Sequence, residues 1–221
     1  MTPTRTQATF APPIVAASRW LRGITFPPDR PLINVSQAAP VAPPPPELRQ
    51  VMADVALNND AAHLYGPDLG LPDLRAEIAL QWSQHYGGRV SPEQVAITSG
   101  CNQAFAAAIH ALTGEGDEVI LPTPWYFNHK MWLDMCGVHS VPLPAGADML
   151  PDPGHAEALI TPRTKAICIV SPNNPAGVEY PAALVREFFD LAKRNGIRLI
   201  LDETYRDFDA RTGPAHDLFA D

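Results

Sequence analysis

The sequence predicts an α/β protein built on a mainly parallel sheet. Two observations carry that expectation. Short apolar runs at residues 118–121, 165–170 and 198–201 alternate with segments of about 10–15 residues at helical spacing, the pattern of βαβ units. The runs at 165–170 and 198–201 are also dense in Ile, Val and Leu, which suits strands covered on both faces. A length of 221 residues is enough for one full domain or one and a half.

Taken in order, the first 30 residues are rich in Pro, Thr and Arg and read as an arm, with a short helix around 16–22. Residues 32–36 look strand-like, and 40–46 form a stiff, proline-rich linker. A helix is expected over 47–57. Residues 63–70 hold Gly66, Pro67 and Gly70 and read as a loop. Pro72 then sits where a first helical turn tolerates proline. Leu74, Ile78 and Trp82 follow at helical spacing up to about Tyr86. Residues 94–98 are expected to be a strand, and Ser99-Gly100-Cys101-Asn102 opens an Ala-rich helix to about Leu112. Strand 118–121, helix 128–136 and strand 138–141 come next. Strand 165–170, an amphipathic helix over 181–195 stopped by Gly196, and strand 198–201 complete the pattern.

Composition narrows the function. The formal net charge is −8, from 16 basic and 24 acidic side chains, which argues against a nucleic-acid or anionic-membrane partner. No apolar run approaches the ~18–20 residues of a membrane span, and nothing resembles a signal peptide. Three cysteines without metal-ligand spacing fit a reducing compartment. A cytoplasmic protein without a metal is expected.

Ligands of open α/β sheets bind beyond the carboxyl ends of the strands. Polar residues collect there: Ser99, Gly100, Cys101 and Asn102 at a helix start; Trp125, Tyr126, Asn128 and His129; Asn173 and Asn174 between prolines; Asp202, Glu203 and Tyr205. Each group has an ordinary reading. Ser-Gly can simply cap a helix, the aromatics can be core, and Asn-Asn-Pro can be a turn. Together, each at an expected strand end, they describe a site for a phosphorylated, aromatic, hydrogen-bonding ligand.

These residues resemble the class I/II, fold-type I aminotransferases that depend on pyridoxal 5'-phosphate (PLP). The resemblance runs from about Leu32 to Asp221. It rests on Tyr65-Gly66-x3-Gly70-x3-Leu74-Arg75, Thr98-Ser99-Gly100-x-Asn102-Gln103-Ala104, Ser171-Pro172-Asn173-Asn174-Pro175-Ala176-Gly177 and Asp202-Glu203-x-Tyr205. Ser36-Gln37-Ala38 before Pro40-x-x-Pro43 resembles the family's substrate-side strand, with Ala38 where the family usually has Gly. The implied fold is a PLP-transferase-like large domain over 47–221, incomplete at its C-terminal side. Residues 1–46 are then an N-terminal arm, linker and part of a small domain.

The resemblance implies a role for each matched residue. Gly100, Cys101 and Asn102 would offer backbone N–H groups to the cofactor phosphate. Tyr126 would stack on the ring, and Asn174 and Tyr205 would bond its 3-oxygen. Asp202 would face the ring nitrogen and keep it protonated, with His129 orienting Asp202. Asp202 and Tyr205 are the catalytic candidates. Ala38 would lie beside the substrate carboxylate, and Tyr65 would reach a phosphate across a homodimer.

The resemblance also implies a Schiff-base lysine and an arginine for the substrate carboxylate, both beyond Asp-Glu-x-Tyr. The only lysines are Lys130, Lys165 and Lys193, and none matches. The chain is therefore expected to be the front of a longer enzyme, inactive and poorly stable alone. That enzyme would move an amino group between an amino acid and a 2-oxo acid. A carbon–sulfur lyase of the same fold and a non-catalytic cofactor- or partner-binding remnant are the alternatives. A dinucleotide-binding domain is disfavoured, because no G-x-G-x-x-G follows a strand.

Overall fold

A computed structural model of the chain describes residues 3–36, 42–209 and 213–220. Ala38 lies outside the described residues. The helices and strands, in order, are α1 (Arg5–Ala8), α2 (Pro13–Trp20), α3 (Pro46–Asn58), α4 (Pro72–Tyr86), α5 (Cys101–Leu112), β1 (Glu118–Thr123), α6 (Phe127–Cys136), β2 (His139–Pro144), α7 (Pro153–Ala158), β3 (Thr164–Val170), α8 (Ala182–Arg194) and β4 (Arg198–Asp202). Contacts divide the chain into two compact units, one of Met1–Phe10 with Leu69–Asp221 and the other of Ala11–Asp68.

In the larger unit the four strands form one sheet in the order β2-β1-β3-β4. All pairings are parallel. The chain runs from β1 outward to β2, then returns past β1 to β3. That reversal puts a topological switch point at the carboxyl ends of β1 and β3, where open α/β sheets bind ligands.

Side chains alternate across β3 with the two-residue period of a strand. Ile167 and Ile169 point to a core with Val185, Phe188 and Leu191 of α8 and Ala156 of α7. Ala166 and Cys168 point to a second core with Phe105 and Ile109 of α5 and Leu133 of α6. β3 is thus covered on both faces, as the apolar density of residues 165–170 predicts, whereas Leu199, Ile200 and Leu201 of the edge strand β4 are only half-buried. Residues 3–10 are tied to α6: Arg5 donates to the Cys136 carbonyl at 3.3 Å, and the Thr9 hydroxyl donates to Asp134 at 3.0 Å.

The smaller unit holds α2, α3 and a 3-10 turn at Asp60–His63, and none of these three elements has a buried residue. On α3, Val51, Met52 and Leu57 are all more than half exposed.

Three expectations change. Residues 94–98 form no strand: a 3-10 turn occupies Pro92–Gln94. Val95 is extended, but the Ile97 N–H goes to the Leu69 carbonyl at 2.9 Å and not to a sheet. Extended backbone becomes a strand only when a neighbour takes up its polar groups, and no described residue supplies that ladder. Residues 32–36 likewise form no strand and are exposed. Helix α7, absent from the sequence reading, is too short at six residues to show a periodicity. Its start is nonetheless written in the chain, as Pro153 at the first turn after an Asp152 cap that accepts the His155 N–H at 2.7 Å. Asp152→Ala should cost about 1 kcal/mol, read as a lower urea midpoint with unchanged slope.

Candidate functional site

A cavity of about 210 Å³ opens where β1, β3 and β4 end and α5 begins. Ser99, Gly100, Cys101 and Asn102 at the start of α5 line it together with Tyr126, Val170, Asn174, Asp202, Thr204 and Tyr205. All of it belongs to the larger unit.

The wall at α5 is a helix N-terminus. Gly100 is the N-cap, at φ 87° and ψ 167°, with no side chain to take up the first-turn N–H groups. A Cβ at Gly100 would meet no atom within 4 Å, so the backbone conformation, not crowding, selects glycine. The Cys101 and Asn102 N–H groups are left for an anion, which the helix dipole also favours. Ser99 is held in place by its own N–H, which donates to Gln103 Oε1 at 2.5 Å.

Tyr126 ends the turn after β1 and caps α6. Its hydroxyl accepts from Asn128 Nδ2 at 2.7 Å, which fixes the ring at the cavity wall. Trp125, its neighbour, packs instead against the core beneath α5 and α6. Asn173 and Asn174 also divide their tasks. Asn174 lines the cavity, whereas Asn173 is buried. The Asn173 amide donates to the Tyr180 hydroxyl at 3.1 Å and the Val170 carbonyl at 3.3 Å, and its oxygen accepts the Ala176 N–H at 2.9 Å. The asparagine that shapes the turn thereby presents its neighbour to the cavity.

Asp202 closes β4 and is only 7% exposed. Its carbonyl accepts the Ser171 N–H at 3.0 Å, locking the ends of β3 and β4 together. Oδ1 accepts from the Thr204 N–H at 2.9 Å and the Thr204 hydroxyl at 2.7 Å. Oδ2 faces His129 Nε2 at 3.1 Å and the Cys101 thiol at 3.5 Å. Burial alone would raise the Asp202 pKa, but the hydrogen bonds from His129 and Thr204 outweigh it and bring it down to about 2. The carboxylate is therefore ionised at neutral pH at the wall of a cavity. Burial pushes the Cys101 thiol up, so it keeps its proton and donates to the carboxylate.

The structure brings Gly100, Cys101, Asn102, Tyr126, Asn174, Asp202 and Tyr205 to one cavity. His129 stands behind Asp202, 2% exposed. Tyr65 belongs to the smaller unit and is fully exposed. Thr204 was not singled out in the sequence, although Asp-x-Thr is a turn signal in which the Asp accepts from the residue two positions on. None of the three lysines lines the cavity. Lys130 pairs with Asp134, Lys165 lies 3.5 Å from Asp117, and Lys193 sits over the Phe189 ring at 5.6 Å. Among the described residues no group of His, Cys, Asp and Glu could hold a metal ion. No helix among them is long and apolar enough to cross a membrane.

A parallel α/β sheet with an anion-ready helix N-terminus, an aromatic wall, an amide and a buried carboxylate at one switch point defines a class of cofactor-binding domain. Comparison with known proteins makes the class specific. The family described as aminotransferase class I and II matches residues 30–217. A probable aspartate/prephenate aminotransferase of Thermus aquaticus is 35% identical over 143 residues, which are 64% of this chain and 37% of that protein. The transaminase BacF of Bacillus subtilis is 30% identical over 86% of this chain and 48% of its own length. Among solved structures, the N-succinyldiaminopimelate aminotransferase of Mycobacterium tuberculosis matches with a TM-score of 0.83 at 29% identity, over 97% of this chain and 55% of that one. The aspartate aminotransferase of Thermus thermophilus with maleate matches with a TM-score of 0.83 at 26% identity, over 95% and 55%. The chain belongs to the class I and II aminotransferase family, whose members depend on PLP. It spans less than half the length of these two curated relatives.

Proposed function

We propose that this chain forms the cofactor-binding part of a PLP-dependent aminotransferase that moves an amino group between an amino acid and a 2-oxo acid. The observation that carries the reading is the buried, ionised Asp202 carboxylate at the wall of the same cavity as the α5 N-terminus, Tyr126, Asn174 and Tyr205. That donor and acceptor set fits the cofactor. The N–H groups of Cys101 and Asn102 would hold its phosphate, Tyr126 would cover its ring, and Asn174 and Tyr205 would bond its phenolic oxygen. Asp202 would meet the ring nitrogen. Of its four contacts the 3.5 Å thiol contact of Cys101 is the weakest, and a cationic ring N–H would replace it at a gain. When bound, the cofactor supplies a sink for the electron pair left on the substrate α-carbon.

The chain's own residues hold that sink in its effective state. Thr204 and His129 keep Asp202 a carboxylate, which would hold a proton on the ring nitrogen of a bound cofactor. Tyr205, Asn174 and Tyr126, which line the same cavity, would hold the ring in place. The covalent lysine and the arginine for the substrate carboxylate would be supplied by residues other than the 221 of this chain. In this reading residues 1–46 serve as arm, linker and part of a small domain. Residues 47–221 form part of the cofactor domain. Tyr65 reaches the phosphate of a second subunit in a cytoplasmic homodimer of amino-acid metabolism. The relatives are aminotransferases by name, which favours amino transfer over elimination.

The test is titration of the natural full-length protein with PLP, followed by borohydride reduction and intact mass. One reduced cofactor per chain is expected, and Tyr126→Ala should weaken cofactor binding roughly tenfold. Absence of any specific adduct or absorbance change would overturn the reading.

A further inference from the structure

The contact behind Asp202 extends one residue further than the family resemblance implies. His129 Nε2 faces Asp202, and its other ring nitrogen, Nδ1, lies 3.7 Å from Sγ of Cys168 on β3. The ring is closed in on its other sides. Phe105 stacks on it with centroids 4.0 Å apart, and Tyr126 meets it edge-on at 5.1 Å. His129 and Cys168 are 2% and 1% exposed. Each ring nitrogen therefore depends on its protein partner, and solvent does not stand in.

We propose that Cys168 is a positioning residue for the site: its thiol donates to Nδ1 of His129 and so selects the neutral imidazole tautomer whose Nε2–H faces Asp202. The functional consequence rests on the reading of Asp202 as the ring-nitrogen partner; the tautomer itself does not.

The argument is one of matching donors to acceptors in a dry site. A neutral imidazole carries one N–H and one lone pair. With the proton on Nε2, the carboxylate receives a donor and Nδ1 presents a lone pair to the thiol. With the proton on Nδ1, a lone pair would face a carboxylate at 3.1 Å, and the N–H would face sulfur, a weak acceptor. A buried pair left in that state loses on both sides. Burial also holds the Cys168 thiol well above its usual range, so the S–H needed as donor is retained. A Cys168 thiol thus does for His129 what a backbone carbonyl or a carboxylate does for other functional histidines, but with the opposite polarity. It accepts nothing and donates, which leaves the imidazole proton for the carboxylate.

The test uses the natural full-length protein with 15N-labelled histidine. Long-range proton–nitrogen correlation reads each ring nitrogen, and loss of one set of signals in His129→Asn assigns residue 129. Nε2 should fall in the protonated range and Nδ1 in the unprotonated range. The infrared S–H stretch lost in Cys168→Ala should lie at lower frequency than that of a free thiol. Cys168→Ala should shift the His129 signals toward the other tautomer, Cys168→Ser should restore them, and kcat should fall about 2- to 10-fold in the Ala variant with KM unchanged. A protonated Nδ1 in the unmodified protein, singly or on a doubly protonated ring, overturns the proposal, even if neither variant folds. Ring signals unmoved by Cys168→Ala overturn it too. Failure of the unmodified protein to bind PLP would instead overturn the functional reading, while the ring spectra still decide this one.

Discussion

Asp202→Asn should lower turnover of the full-length enzyme by on the order of 10²- to 10³-fold while KM changes little. The substitution keeps the shape of the side chain and removes only its charge. Without a carboxylate, nothing at the wall of the cavity would hold a proton on the ring nitrogen of a bound cofactor, and the stabilisation lost would be that of charge developing in the transition state. An effect confined to kcat is the mark of such a loss. Stability should move as well. The folded pKa of Asp202, about 2, lies below its ordinary value of 3.8. A depressed carboxylate contributes stability above its unfolded pKa and loses it as pH falls through the folded one. The contribution is about 2 kcal/mol at neutral pH. Urea midpoints of the Asn variant should therefore trail those of the unmodified protein near pH 7, and the gap should close between about pH 4 and pH 2. A variant with full turnover would remove Asp202 from the chemistry, whatever its stability.

Much of this site is legible in the chain because its pieces sit on elements with strong local signals. The α5 start at Cys101 follows from Gly100 before an Ala-rich run, and the end of β3 follows from an apolar stretch broken by Ser171-Pro172. What the sequence hides is what depends on distant partners. Residues 94–98 have the composition of a strand, but composition does not supply a neighbouring strand. Thr204 looks like a spacer between Glu203 and Tyr205, yet it gives Asp202 both its N–H and its hydroxyl. Cys168 reads as one more apolar residue of a buried strand. Its meaning comes from His129, 39 positions away, and no spacing rule joins the two. Even within the legible Asn-Asn pair, the sequence does not divide the labour, because both side chains are amides flanked by prolines.

That division supports a paired prediction with opposite readouts. Asn173→Ala should destabilise the fold by about 2–3 kcal/mol. It removes one donor to the Tyr180 hydroxyl and the Val170 carbonyl and the acceptor of the Ala176 N–H at once, and Tyr180 is itself 1% exposed. Asn174→Ala should leave the urea midpoint within about 0.5 kcal/mol, since Asn174 lines the cavity and the turn is built by its neighbour. Its cost should appear in the cofactor titration, as roughly a tenfold weaker Kd for the loss of one hydrogen bond to an anionic oxygen. Equal destabilisation by the two substitutions would mean that both asparagines build the turn, and the amide would then have to be removed from the ring-contact set.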